Sequence, residues 1–157
     1  MMNARIYSVD VHPQKEKPIP LGAIRESGIV DDRFFVRETD MPKWIYAKGA
    51  KHELRHKKDG SEYYFSEGIV RFPDPLDAPS RTMLTSESEV SRSSHVIIDR
   101  VTGKLRTLTP IECERLNGFP DNWTATGMPE KMRCFCMGNA LVVPIVTRIG
   151  KALLKKL

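Results

Sequence analysis

Residues 106–123, Arg-Thr-Leu-Thr-Pro-Ile-Glu-Cys-Glu-Arg-Leu-Asn-Gly-Phe-Pro-Asp-Asn-Trp, leave the chain few ways to fold, because nearly every one has a definable local task. They specify one short helix, capped at both ends. Thr109 is a favourable N-cap, Pro110 suits the first helical position where a missing N–H costs nothing, and Glu112 completes a capping box with Thr109. Leu108, just before the cap, can staple against Cys113. Gly118 supplies the left-handed residue that stops the helix, and Phe119-Pro120 turns the chain so that Phe119 and Trp123 can anchor it. The helix is expected over residues 109–117. Alone, it is no more than a well-made core helix.

A second run, Met137-Gly138-Asn139-Ala140-Leu141-Val142-Val143-Pro144-Ile145-Val146, leads into a final helix expected over residues 143–155. Ile145, Ile149, Ala152 and Leu153 recur at helical spacing, so one face is apolar and must be buried against something. Lys151, Lys155 and Lys156 lie where the negative end of the helix dipole favours cations. Read locally, Gly138-Asn139-Ala140 is a helix start with Asn139 as N-cap.

In this order and at this separation, the two runs resemble the last two motifs of DNA (cytosine-5)-methyltransferases. There, an Arg-x-Leu-Thr-Pro-x-Glu-x-x-Arg-Leu-x-Gly-Phe-Pro segment precedes a Gly-Asn-Ala segment that opens the final helix, and residues 106–157 match nearly throughout. The family's other chemistry is missing. Its methyl-donor turn Phe-x-Gly-x-Gly, its Pro-Cys nucleophile, its Glu-Asn-Val triplet and its Arg-x-Arg segment do not occur in this sequence. The resemblance therefore implies the C-terminal part of such an enzyme, with no catalytic residue of its own. It would be active only with a partner polypeptide carrying the N-terminal catalytic motifs. S-adenosylmethionine would be shared with that partner, and Gly138, Asn139 and Ala140 would lie beside its methionine end: glycine allows close approach, and an asparagine amide can bond a carboxylate or amine. Arg133-Cys134-Phe135-Cys136 falls where the family varies, so no function is carried onto it.

What the resemblance assigns to this part is recognition of double-stranded DNA. Thr82-Met83-Leu84-Thr85 looks like the Thr-Leu signature of the family's target recognition region, whose neighbours enter the major groove. Arginine can donate two hydrogen bonds to guanine, and serine, threonine and histidine make smaller contacts. Arg81, Thr82, Thr85, Arg92, Ser93, Ser94 and His95 are the candidates, and for any one of them a phosphate contact or plain surface is the competing reading.

Charge points the same way without deciding it. The formal net charge is +5, and Trp44, Tyr46, Lys48, Lys51, His52, Arg55, His56, Lys57 and Lys58 interleave cations with rings around a single acid, Glu53. Such a mixture suits a phosphate-tracking surface, with Lys51 and Arg55 as candidates, and equally suits a solvated basic face.

Elsewhere, residues 5–11 alternate as a short strand would, and residues 20–28 could form a short helix ended by Gly28, with Leu21, Ile24 and Arg25 on one side, clipping against something else. Lys58-Asp59-Gly60-Ser61 is a hairpin turn signal before the β-formers Glu62 to Phe65. Three prolines between Phe72 and Pro79 exclude regular structure, and Val96-Ile97-Ile98 reads as a strand. Three cysteines, Cys113, Cys134 and Cys136, are an odd number and imply reduced, structural thiols. Cys134, Cys136 and His95 lack a fourth ligand at useful spacing, so no metal is expected. No run approaches the roughly 18 apolar residues of a membrane span and the N-terminus lacks a signal-peptide core, so a cytoplasmic chain is expected, bacterial or phage by what the resemblance implies.

The expected architecture is α+β. Residues 1–30 form a connecting segment and residues 31–105 an irregular, β-containing target recognition domain. Residues 106–157 hold the capped helix and a C-terminal helix that packs on the Rossmann-like catalytic domain of a partner. The resemblance makes modification in a restriction system, or phage self-protection, the natural setting. A non-catalytic DNA-binding or regulatory protein derived from such a methyltransferase is the rival reading, and a purely structural subunit a third.

Overall fold

The computed structural model describes residues 15–156 together with residues 4, 6, 8, 10, 12 and 13. The strand expected over residues 5–11 falls on a stretch where residues 5, 7, 9 and 11 lie outside those described. Three 3-10 turns, Leu21–Ile24, Asp32–Phe34 and Glu38–Asp40, lead into helix α1, Met41–Lys48. Strands β1 (Lys51–His56) and β2 (Glu62–Glu67) form an antiparallel ribbon around the expected turn, where Asp59 accepts from the Ser61 backbone and hydroxyl and Gly60 adopts φ +83°.

A long irregular stretch follows, and β3 (Val96–Ile98) then pairs antiparallel with β4 (Leu105–Thr107). Phe35 bridges to Arg106, laying residues 34–36 along the free edge of β4. Helices α2 (Pro110–Leu116), α3 (Glu130–Asn139) and α4 (Val143–Leu154) complete the chain.

Helix α2 forms as its sequence dictates. The Glu112 amide donates to Thr109 Oγ1 at 3.2 Å while the Thr109 amide donates to the Glu112 carboxylate at 3.0 Å, so both halves of the capping box are made. At the other end Phe119 N donates to Glu114 O and Gly118 N to Arg115 O, with Gly118 at φ +78°, a complete Schellman closure.

The core is small and gathers residues far apart in sequence: Leu21, Ile24, Ile97, Leu108, Cys113, Cys134 and Met137. Leu21 and Ile24 pack into it from a single 3-10 turn, shorter than the helix expected over residues 20–28. What this clip grips is the body of the chain itself, with Leu21 N on Ala78 O and Gly22 N on Leu76 O.

Helix α3 went unforeseen. The residues taken as a variable approach, Arg133-Cys134-Phe135-Cys136, lie within it and help to hold the core, Cys134 with 1% exposure. Helix α4 is the opposite case. No residue of it is buried, although Ile145, Val146, Ile149 and Leu153 form one apolar stripe. Among the described residues no single helix is long and apolar enough to cross a membrane.

Candidate nucleic-acid interface and motif cluster

The first motif run is built around buried charge. Arg106, fully buried on β4, donates from both terminal nitrogens to Glu112 at 2.6 and 2.7 Å and from Nε to Asp99 at 2.9 Å. Such a pair is stable only when every lone pair is used. Here the Glu112 carboxylate also accepts from the Glu26 and Thr109 amides, and Asp99 accepts from the Val101 and Thr102 amides and the Thr102 hydroxyl. Burial pushes the Asp99 carboxyl up, but these donors together outweigh it and hold it well below the usual carboxylate range.

A second knot joins α2 to α3. Glu114 takes Arg133 at 2.9 Å and the amide and hydroxyl of Thr124, while Asn117 Nδ2 donates to Met137 O at 2.7 Å. Cys113 and Cys134 bring their thiols 3.8 Å apart between the same helices, and both are free, as expected of structural cysteines. Arg133, Thr124, Asn117 and Glu26 were all missed in the sequence, because their partners lie across helices or loops.

Gly138 belongs to this cluster in an unforeseen way. A Cβ there would lie 2.5 Å from both Leu84 C and Thr85 N, so the glycine exists to admit the backbone of the Thr82-Met83-Leu84-Thr85 segment. Asn139 is exposed, the last residue of α3 and not the N-cap of the final helix, a position held by Val142. Its amide nitrogen makes a 3.3 Å bond to Phe135 O, and Oδ1 has no protein partner among the described residues. Ala140 is half-buried beside the core.

The recognition candidates divide sharply. Thr82 and Thr85 are exposed at the surface. Ser94 and His95 have 0% exposure and cannot touch a base edge in this fold. The Ser94 hydroxyl donates to Ser86 O and Glu89 O at 2.7 Å, and His95 binds Glu87 through its amide and Nδ1. Ser93 is half-buried in a hydroxyl cluster with Ser86 and Ser91. Arg81 is committed to Asp74 at 2.7 and 3.2 Å and to the carbonyls of Ser93 and Ser94. Arg92 donates to Gly49 O and Gly68 O. Both arginines brace the loop before β3.

Lys48, also buried, donates to Arg92 O and Ser94 O; burial, reinforced by the Arg81 charge, lowers its ammonium to about 8. Two cations of the basic run that looked phosphate-seeking are paired with acids, Lys51 across the ribbon and Arg55 along its own strand. Lys51 pairs with Glu67 at 2.9 Å, and Arg55 pairs with Glu53 while lying over the Phe65 ring. No group of three His, Cys, Asp or Glu side chains suited to a metal occurs among the described residues.

The mixed helix and strand fold resembles that of solved methyltransferases. The crystal structure of the S. pombe Dnmt2 methyltransferase aligns at a TM-score of 0.61 and 17% identity over 91% of this chain and 44% of that one. The Entamoeba histolytica methyltransferase EhMeth aligns at 0.57 and 15% over 96% and 44%. Sequence gives the family. The C-5 cytosine-specific DNA methylase model matches residues 3–155, and the chain belongs to that family. The Staphylococcus aureus Type II methyltransferase M.Sau3AI is 56% identical over 155 residues, 99% of this chain and 37% of the relative. The Neisseria gonorrhoeae Type II methyltransferase M.NgoBV is 42% identical over 55 residues, 35% of this chain and 13% of the relative. The chain thus spans well under half the length of these curated relatives.

Proposed function

We propose that these residues form the DNA-recognition and C-terminal part of a DNA (cytosine-5)-methyltransferase, completed by polypeptide that carries the catalytic motifs. The observation that carries this reading is helix α4. Ile145, Ile149 and Leu153 are 55–62% exposed on one stripe, and burying each such side chain contributes roughly 1.5–3 kcal/mol. A stripe of this kind left in water is unfinished packing. A Glu16 to Arg148 ion pair at 2.5 and 2.8 Å brings the N-terminal segment to the same helix, so both would meet a catalytic body on one side.

Within this reading the chain holds duplex DNA while a cytosine is flipped into the catalytic pocket. Thr82 and Thr85 remain the exposed groups of the recognition segment, and Arg81, Arg92, Ser93, Ser94 and His95 hold that segment in shape. S-adenosylmethionine would supply the methyl group. Asn139 fits a place beside it, since its exposed Oδ1 is uncommitted, whereas Gly138 is already occupied by Leu84 and Thr85. Co-purification tests the assembly: a family segment bearing the Pro-Cys motif should capture this chain, and should fail to capture an Ile149→Lys, Leu153→Lys variant. Equal capture of both would remove α4 from the interface.

A further inference from the structure

Thr82 and Thr85 are exposed, and the segment that carries them is fixed at both ends. At its C-terminal end Gly138 admits the Leu84 and Thr85 backbone, and Met83 packs against the core. At its N-terminal end the residue before Thr82 is Arg81, whose guanidinium is committed wholly within the chain. Nε and Nη2 donate to the Asp74 carboxylate at 2.7 and 3.2 Å, while Nη1 and Nη2 donate to Ser93 O and Ser94 O, both at 3.1 Å.

Asp74 gives this clamp its bearing. It is buried, its Oδ2 also accepts from the Val96 amide at 2.9 Å, and its own amide donates to Val96 O at 2.7 Å, which ties it to the first residue of β3. The chain between Asp74 and Arg81 is held as well: Leu76 O and Ala78 O accept from the Gly22 and Leu21 amides, both at 2.8 Å. A planar guanidinium gripped at two nitrogens by one carboxylate has a defined orientation, which a lysine ammonium cannot reproduce. Charge adds a second requirement. Lys48 and Arg81 both donate to Ser94 O, and Asp74 is the one carboxylate that either of them bonds among the described residues. A neutral amide at position 74 would leave two adjacent cations without that counter-ion.

We propose that Asp74 is a positioning residue for sequence choice: buried and out of reach of DNA, it acts through Arg81 to aim Thr82 and Thr85. The proposal rests on the DNA-recognition reading above and deepens it with a residue that makes no contact of its own. Threonines aimed wrongly lose contacts to the preferred site, whereas the sequence-independent attraction to phosphates persists. A residue needed only for folding would instead lower binding to every sequence by one common factor, and the ratio between sequences would not move.

The test is selection by the 157-residue chain from a randomised duplex pool, followed by fluorescence anisotropy on the enriched duplex and on a scrambled one. Asp74→Asn and Arg81→Lys should each lower the enriched-to-scrambled affinity ratio by roughly 5- to 150-fold, the discrimination carried by a single base pair. The double variant should be no worse than either single one, because both changes break the same clamp. Amide exchange in residues 82–85 should quicken in both variants. An unchanged ratio in either folded variant, whether its overall affinity holds or falls, overturns the proposal and leaves the recognition reading standing. Loss of the folded state in both variants, read by circular dichroism, also overturns it, because the clamp would then be structural alone. If the unaltered chain enriches no sequence, the recognition reading itself falls.

Discussion

Gly138 lies against the backbone of Leu84 so closely that a Cβ on the glycine would stand 2.5 Å from the Leu84 carbonyl carbon. The turn that resembles a cofactor motif and the segment that resembles a recognition signature are therefore one packed unit. Neither can shift without the other. Gly138→Ala should destabilise the chain by about 1–3 kcal/mol, an overpacking cost, and lower the melting temperature by several degrees. A melting curve unchanged within error would show that the loop yields freely and that the contact constrains nothing.

Arg106 presents a different kind of dependence. Arg106→Ala leaves Asp99 and Glu112 buried without their cation and should cost about 3–5 kcal/mol, measured by urea denaturation. Glu112→Ala additionally removes the acceptor of the Thr109 and Glu26 amides and should be no milder. A loss under about 1 kcal/mol for either would contradict the buried network.

Acid stability follows from Asp99. Its folded-state carboxyl is depressed, so its stabilising contribution is present above the unfolded value near 3.9 and is lost as pH falls through the depressed one. Asp99→Asn should be less stable than the unaltered chain at pH 6, and the gap should narrow on acidification below about pH 4. A gap constant with pH would mean that Asp99 titrates normally.

Lys48 gives the opposite limb. Its ammonium is lowered to about 8, so between about 8 and the ordinary 10.5 the unfolded chain binds the extra proton and stability gains with rising pH. The stability of the unaltered chain relative to Lys48→Met should therefore increase from pH 8 to 10. A flat difference would place the Lys48 head group in solvent.

Helix α4 supplies a test by indifference. Because Ile149 and Leu153 touch no core, Ile149→Lys with Leu153→Lys should leave the melting temperature within about 2 °C of the original, as surface substitutions do. A large drop would show that the helix is already packed on its own chain.

How much of this was legible in the sequence depends on how far away each partner lies. Helix α2 could be read completely, since Thr109, Pro110, Glu112 and Gly118 act within one or two turns of each other. The ribbon turn and β3 were equally local. Helix α3 was hidden because no hydroxyl or carboxamide N-cap announces it: Pro129 stands at the cap with no side-chain bond, and the helix is held by Arg133 to Glu114 and Cys134 to Cys113, contacts about 20 residues distant.

The burial of two recognition candidates, Ser94 and His95, was hidden for a related reason. Composition shows that Ser94 and His95 can form hydrogen bonds, but not that Ser86, Glu87 and Glu89 already satisfy most of that capacity. Likewise the acid that neutralises Lys51 sits on β2 and is revealed only by strand register.

The central claim is that this chain recognises DNA and completes a catalytic body carried by other polypeptide. The most direct measurement is transfer of labelled methyl from S-adenosylmethionine to duplex DNA by this chain, by the complementary catalytic segment, and by the two mixed. Methylation only in the mixture is the predicted result. Methylation by this chain alone, or none from a mixture in which both parts are folded, would contradict it.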